Sequence, residues 1–180
     1  MKGSRLRNRD RYLEEAMFFR DTDLIKVITG VRRCGKSSLL DLIRMTIESE
    51  GVAGRGFVSV NLESKGTGIK TEDQLYDYVR GRLSDKGRTY VFIDEPQRID
   101  GWQDAVNAMR VDFDCDIYLT GSNAYLLSSE LATYLSGRYV EVKMLPLSFS
   151  EFADFCGIEF VSGTSVALTP EGDPVLFDDM

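Results

Sequence analysis

The 180 residues are 43% hydrophobic and 28% charged, which fits one globular domain with a short appendage, long enough to bury roughly 70% of its unfolded surface. With 22 basic and 29 acidic residues the net charge is −7, which argues against a strong non-specific nucleic-acid binder. The absence of histidine excludes histidine-based nucleophile activation, acid–base work and metal ligation together.

The chain opens on "MKGSRLRNRD", basic but without the apolar stretch of a secretory leader. Lys2, Arg5, Arg7, Arg9 and Arg11 read first as a solvated basic tail, with contact to nucleic acid left open. A helix is expected from Arg9 to Phe19, with Tyr12, Leu13, Ala16 and Met17 on one face. "LIKVIT" reads as a strand, and the loop "GVRRCGKSS" follows it. Next comes a helix with Leu39, Leu40, Ile43 and Ile47 at helical spacing. "GFVSVNL" is a second strand and "KGTGIK" a loop. "TEDQLYDYVRGRL" is a helix with Thr71 as its N-cap.

"TYVFIDE" is a continuous apolar strand ending in two carboxylates. "WQDAVNAMR" reads as a helix whose Trp102 packs onto the sheet. "CDIYLTGSNA" is a strand with a polar tip, "AYLLSSELATYL" a helix and "RYVEVKML" a fifth strand. In "SFSEFADF", Ser148 and Glu151 form a capping box, and Gly157 stops that helix. Alternating strands and helices predict an α/β fold whose largely parallel sheet is covered on both faces. The last stretch, "VSGTSVALTPEGDPVLFDDM", is acidic and turn-rich and reads as a hairpin or a partly disordered tail.

Gly30, Gly35, Lys36 and Ser37 complete the pattern G-x-x-x-x-G-K-S between a strand and a helix, the phosphate-binding loop. Glycines give the loop backbone angles closed to other residues. Successive N–H groups can then turn inward on phosphate oxygens, and the helix N-terminus adds attraction for the anion. Lys36 brings a mobile charge to the β- and γ-phosphates, and the Ser37 hydroxyl is a hard ligand for Mg²⁺. The competing reading, a glycine turn with an incidental lysine, does not explain the flanking strand and helix.

In such a protein the first acid of a strand-end pair, here Asp94, holds Mg²⁺, and the second, Glu95, orients the attacking water. Taken alone, the same pair would also suit the start of a helix. Asn123, with Thr120 and Ser122 nearby, can hold the water or the γ-phosphate from the next strand tip, although Gly-Ser-Asn also makes a good turn. Arg138, just before the fifth strand, can stabilise transition-state charge from its own subunit or a neighbouring one, or simply cap a helix.

The order "GVRRCGKSS", "VFIDEPQ", "LTGSNA", "SGR" and "PLSFSEF" resembles the AAA-type core of a broad family of prokaryotic P-loop ATPases, over Leu6 to Phe155. The resemblance implies a three-layer α/β/α sandwich around a five-stranded sheet of order 5-1-4-3-2. The "IYLTGSN" strand would then lie between the loop strand and the acid-pair strand. It implies nucleotide contacts along the loop from Gly30 through Val31, Arg32, Arg33, Cys34, Gly35, Lys36 and Ser37 to Ser38. It further implies Mg²⁺ at Ser37 and Asp94, catalysis by Glu95, sensing by Asn123 and a finger role for Arg138. Pro96 stands where the family more often has an aliphatic residue, which alters the exit from the strand. The implied organisation is an N-terminal basic segment and helix (1–20), an ATPase core (21–157) and an acidic tail (158–180). That tail would lead to a C-terminal domain, nuclease-like or uncharacterised.

The function expected is Mg²⁺-dependent ATP hydrolysis that drives such an effector. The alternative is a non-hydrolysing switch that binds ATP and meets nucleic acid or protein. A GTPase is disfavoured because no [NT]KxD guanine-reading motif follows a later strand, and a small-molecule kinase because it would need an arginine-rich lid. The expected partners are the nucleotide and either a second copy of the chain or the effector domain. Cys34, Cys115 and Cys156 are odd in number and widely spaced, which reads as reduced thiols in the cytoplasm. No run of about 18 apolar residues predicts a membrane span.

Overall fold

The computed structural model describes residues 9–52, 56–122, 135–149 and 151–152, together with the backbone of three short strands between residues 159 and 175. The chain divides into two compact units, Met1–Met144 and Leu145–Met180.

In the first unit the apolar runs form five strands: β1 (Ile25–Gly30), β2 (Phe57–Asn61), β3 (Thr89–Asp94), β4 (Cys115–Ser122) and β5 (Tyr139–Met144). Their order is β2-β3-β4-β1-β5, and every pairing is parallel. Read from the other edge this is 5-1-4-3-2, the order that the resemblance implies. β1 and β3 are buried along their whole length, as strands covered on both faces must be.

The helices are α1 (Asp10–Phe18), α2 (Lys36–Ser49), α3 (Glu72–Arg80) and α4 (Trp102–Asp112). Alternate strand residues sort into two cores. Val27, Val91, Ile93, Ile117 and Leu119 pack with Leu75 and Val79 of α3 and with Trp102, Val106 and Met109 of α4. Ile28, Phe92, Tyr118 and Val142 pack with Tyr12 and Ala16 of α1 and with Leu39, Ile43 and Ile47 of α2. The result is the expected three-layer sandwich. On the α1/α2 face an aromatic row crosses three strands: Phe57 stacks on Phe92 at 6.4 Å, and Phe92 on Tyr118 at 5.1 Å. Such pairs add about 0.5–1.5 kcal/mol each beyond their buried area.

That face also carries a buried ion pair. Lys26 is fully buried and pairs with fully buried Asp116. Its ammonium also donates to the Thr22 carbonyl at 3.4 Å. Asp116 accepts from the Asp21 amide at 2.9 Å and the Tyr118 hydroxyl at 3.1 Å. Burial lowers the Lys26 pKa against the opposing pull of Asp116, and burial raises that of Tyr118. The Cys115 thiol, also buried, is pushed up to about 12. Cys34 and Cys115 are both free thiols.

In the second unit the capping box forms. The Ser148 amide donates to Glu151 Oε2 at 2.7 Å, and the Glu151 amide to Ser148 Oγ at 3.2 Å. The acidic tail holds three short antiparallel strands, β6 (Glu159–Phe160), β7 (Ala167–Leu168) and β8 (Pro174–Val175), in that order. Several sequence expectations lie outside the described residues: Asn123, most of the "AYLLSSELATYL" helix, Cys156, Gly157, the boundary at 157, and Lys2, Arg5 and Arg7. Among the described residues no helix is long and apolar enough to cross a membrane.

Candidate functional site

The glycine loop joins the C-terminal end of β1 to α2. Gly30 ends the strand with φ 155° and Gly35 precedes the helix with φ 99°, a range that strongly favours glycine. Crowding adds to the demand at Gly30, where a Cβ would lie 2.5 Å from the Met144 carbonyl oxygen and 2.7 Å from Cys34 Sγ. Arg33, between the two glycines, is itself left-handed at φ 67°.

The N-termini of α2 and α3 contrast. α3 is capped by Thr71, whose hydroxyl accepts from the Gln74 amide at 3.3 Å, and carries Glu72 and Asp73 in its first turn. α2 has no side-chain cap and no acid in its first turn. Its first amides and the positive end of its dipole are therefore available to an external anion. Lys36 is buried and donates to the carbonyls of Gly30 at 3.2 Å and Val31 at 3.1 Å.

Asp94 lies next to this helix start. Ser37 Oγ donates to Asp94 Oδ2 at 2.9 Å, Asn61 Nδ2 donates to the same oxygen at 3.0 Å, and the Thr120 hydroxyl donates to Oδ1. The strand register explains this convergence, since Asp94 is paired with Asn61 on one side and Thr120 on the other. A hydroxyl and a carboxylate in contact are hard oxygen donors suited to Mg²⁺. Among the described residues no group of three or more Cys, Asp or Glu stands ready to enclose a metal. A cation here would complete its shell with phosphate and water oxygens, as Mg²⁺ does.

Glu95 leaves the strand in a left-handed conformation, φ 59° and ψ 51°, and Pro96 opens a 3₁₀ turn after it. The proline that follows disfavours the right-handed helical region for Glu95. The Glu95 amide is held by the Thr120 carbonyl at 3.0 Å, and its carboxylate accepts from the Gln97 amide. Strain of this kind gathers at functional sites.

The loop end and Glu95 border a cleft of about 850 Å³. Lys36, Ser37 and Ser38 line it from the loop side, Glu95, Gln97 and Arg98 from the far side. Arg32 and Arg33 also face it, so the described lining carries four cationic side chains against Glu63 and Glu95. The cleft is cationic in a chain of net charge −7.

Not every candidate reaches it. Cys34 turns its side chain into the α1/α2 core, and Arg9 Nη1 donates to its carbonyl at 3.1 Å. Val31 is exposed. Arg138 is not brought to the cleft of its own chain. Its carbonyl accepts from the Ile25 amide at 2.9 Å, at the start of β1, and its guanidinium donates to Asn107 at 3.2 Å. That end of the sheet is about 16 Å from the loop, five strand steps of about 3.3 Å each. β4 ends at Ser122, in register with Gly30, but Asn123 beyond it is not among the described residues. Asn61, Glu63, Gln97 and Arg98 were not anticipated from sequence.

The sequence profile of the family described as "AAA domain" matches residues 22–153. An uncharacterized protein of Haemophilus influenzae is 48% identical over 147 residues, 81% of this chain and 37% of that protein. An uncharacterized protein of Methanocaldococcus jannaschii is 36% identical over 132 residues, 73% of this chain and 28% of that protein. The chain thus spans about a third of the length of these relatives. Among solved structures, a DNA polymerase III gamma subunit-related protein of Thermotoga maritima superposes with a TM-score of 0.57 at 14% identity, covering 82% of this chain and 49% of that one. PCH-2 of C. elegans gives 0.54 at 15%, covering 81% and 42%. These two likenesses are of fold alone. The profile match, over most of the chain, supports a nucleotide-binding, ATPase-type function, and the chain belongs to the AAA-domain family.

Proposed function

We propose that this chain carries a Mg²⁺-dependent ATP-binding and ATP-hydrolysing core that drives a C-terminal effector domain. The observation that carries the reading is the Ser37–Asp94 contact at 2.9 Å, set under an uncapped helix start with Glu95 beside it. The loop from Gly30 to Ser38 wraps the phosphates with its amides, and Lys36 leaves its own carbonyls to hold the β- and γ-phosphates. Ser37 and Asp94 hold the cation, which neutralises phosphate charge when bound. Glu95 takes a proton from the attacking water. Asn123 senses the γ-phosphate, and Arg138 serves as a finger only toward a neighbouring copy, since it lies away from its own cleft.

The core is assigned to 21–157, after a basic segment and helix at 1–20 and before an acidic tail at 158–180. In the relatives the shared stretch is a minor part of a longer protein, which supports an effector attached to the core. Free thiols at Cys34 and Cys115 fit a cytoplasmic setting.

The test is Mg-ATP titration and phosphate release with the wild-type chain, Lys36→Ala and Glu95→Gln. Lys36→Ala should lose nucleotide binding. Glu95→Gln should bind ATP and lose turnover by about 10²–10⁴-fold, the usual contribution of a general base. Unchanged hydrolysis in Glu95→Gln removes Glu95 as the base, and unchanged binding in Lys36→Ala removes the site.

A further inference from the structure

Three segments meet at the edge of the cleft through one carboxylate oxygen. Glu63 Oε1 lies 3.1 Å from Arg98 Nη2 and 3.9 Å from Arg32 Nη2. Arg32 comes from the glycine loop, Glu63 from the exit of β2, and Arg98 from the turn after Glu95. The backbone fixes two of these positions. The Leu62 amide donates to the Asp94 carbonyl at 3.0 Å, and the Arg98 amide to the Glu95 carbonyl at 3.2 Å. All three side chains line the cleft.

We propose that Arg98 is a specificity residue that reads the terminal phosphate, and that Glu63 is its placeholder partner while no phosphate is bound. This rests on the reading of the cleft as an ATP site. In that reading Lys36 and the loop amides grip the inner phosphates, and Glu95 faces the water that attacks the terminal one. Arg98 is three residues beyond Glu95, on the same side of the cleft, and so belongs to the terminal phosphate. Arg138, the guanidinium that sequence pointed to, lies at the opposite end of the sheet, and among the described residues Arg98 is the arginine that the turn after Glu95 brings to the cleft, with Arg32 and Arg33 facing it from the loop.

The exchange is energetically easy. Arg98 and Glu63 are each more than half exposed, at 56% and 53%, and ion pairs in that setting contribute little. A terminal phosphate carries more charge than a single carboxylate and offers a planar guanidinium two oxygens at once. ATP therefore displaces Glu63 from Arg98, whereas ADP, lacking that phosphate, leaves the Glu63–Arg98 pair in place. The pair sets the preference for triphosphate over diphosphate.

The experiment compares binding of a non-hydrolysable ATP analogue and of ADP, each with Mg²⁺, to the wild-type chain, Arg98→Ala, Arg98→Lys, Glu63→Gln and the double variant Glu63→Gln with Arg98→Ala. Far-UV circular dichroism and melting temperature establish that each variant is folded. Arg98→Ala should weaken the analogue roughly tenfold or more, the scale of a lost charge-assisted hydrogen bond, and ADP less than about twofold. Arg98→Lys should recover only part of the loss. Glu63→Gln should tighten the analogue by about two- to fivefold at low salt, and that gain should vanish in the double variant. If Lys36-dependent binding is present but Arg98→Ala weakens both nucleotides equally, or neither, the inference about Arg98 is overturned and the nucleotide site stands. If the wild-type chain shows no Lys36-dependent binding, the site and this inference fall together.

Discussion

Replacing Gly30 by alanine places a methyl group where the structure has room for none. The new carbon would sit 2.5 Å from the Met144 carbonyl oxygen and 2.7 Å from Cys34 Sγ, on a backbone with φ 155°. The carbonyl belongs to β5, paired with β1 at this position, so it cannot swing aside as a side chain would. Strain at a backbone conformation of this type costs about 1–3 kcal/mol, and overpacking a closed site adds about 1–3 kcal/mol. Gly30→Ala should therefore lose about 2–6 kcal/mol, a melting temperature lower by roughly 5–20 °C in a chain of this size. Gly51→Ala is the control. Gly51 also has positive φ, 97°, but a Cβ there meets nothing within 4 Å, so it should cost only about 1–2 kcal/mol. Thermal unfolding followed by circular dichroism gives the difference between the two. Mg-ATP titration should show binding lost in Gly30→Ala and retained in Gly51→Ala, because a shift at residue 30, where a Cβ has no room, displaces the start of the loop that would face the phosphates. Equal stability losses in the two variants would refute the claim that contact with β5 fixes the start of the loop.

Asp116→Asn should destabilise the chain by about 3–5 kcal/mol, since it strips the only carboxylate paired with buried Lys26 among the described residues. Burial depresses the Lys26 pKa from its ordinary 10.5, and without Asp116 the main opposing charge is gone, leaving the lesser pull of Asp21. The unfolded chain then binds the lysine proton more tightly than the folded chain. Stability of Asp116→Asn should accordingly rise with pH from the depressed value up to about 10.5, which chemical denaturation at pH 7 and pH 9 will show. Thr120→Val removes a buried donor from Asp94 and should weaken Mg²⁺-dependent nucleotide binding by about tenfold. Asn61→Ala, at an exposed position, should do so less, and isothermal titration at fixed Mg²⁺ will rank them. Gln97→Ala frees the Glu95 carboxylate from its amide donor. It should lower the turnover number by about tenfold with little change in nucleotide affinity, as measured by steady-state phosphate release.

The loop was legible because its signal is local. A strand, two glycines, a lysine and a serine at fixed spacing need no long-range information, whereas the sheet order, with β4 beside β1, was legible only through the resemblance to AAA-type ATPases. Thr71, Ser148 and Glu151 were likewise readable as caps from three-residue spacings. The partners of Asp94 were not. Asn61 and Thr120 reach it only because β2 and β4 flank β3 in a particular register, and that register is set by packing across the sheet. Lys26 hid inside "LIKVIT", where a lone lysine in an apolar run gives no sign that Asp116, 90 residues on, will neutralise it. Glu63 and Arg98 sit in turns whose course depends on Pro96 and on the exit of β2. The placement of Arg138 is also implicit in the sequence. In an all-parallel sheet whose loop follows the C-terminal end of a strand, a residue immediately before a strand must lie at the opposite end of the strands.

The chain carries a single tryptophan, and Trp102 is 3% exposed within the α3/α4 core. Its fluorescence is thus a one-sided gauge, tied to the layer that does not contain the loop's helix. Emission and far-UV ellipticity that melt together would mark both layers as one cooperative block. Emission that survived a partial loss of ellipticity would mean that the phosphate-gripping layer comes apart first.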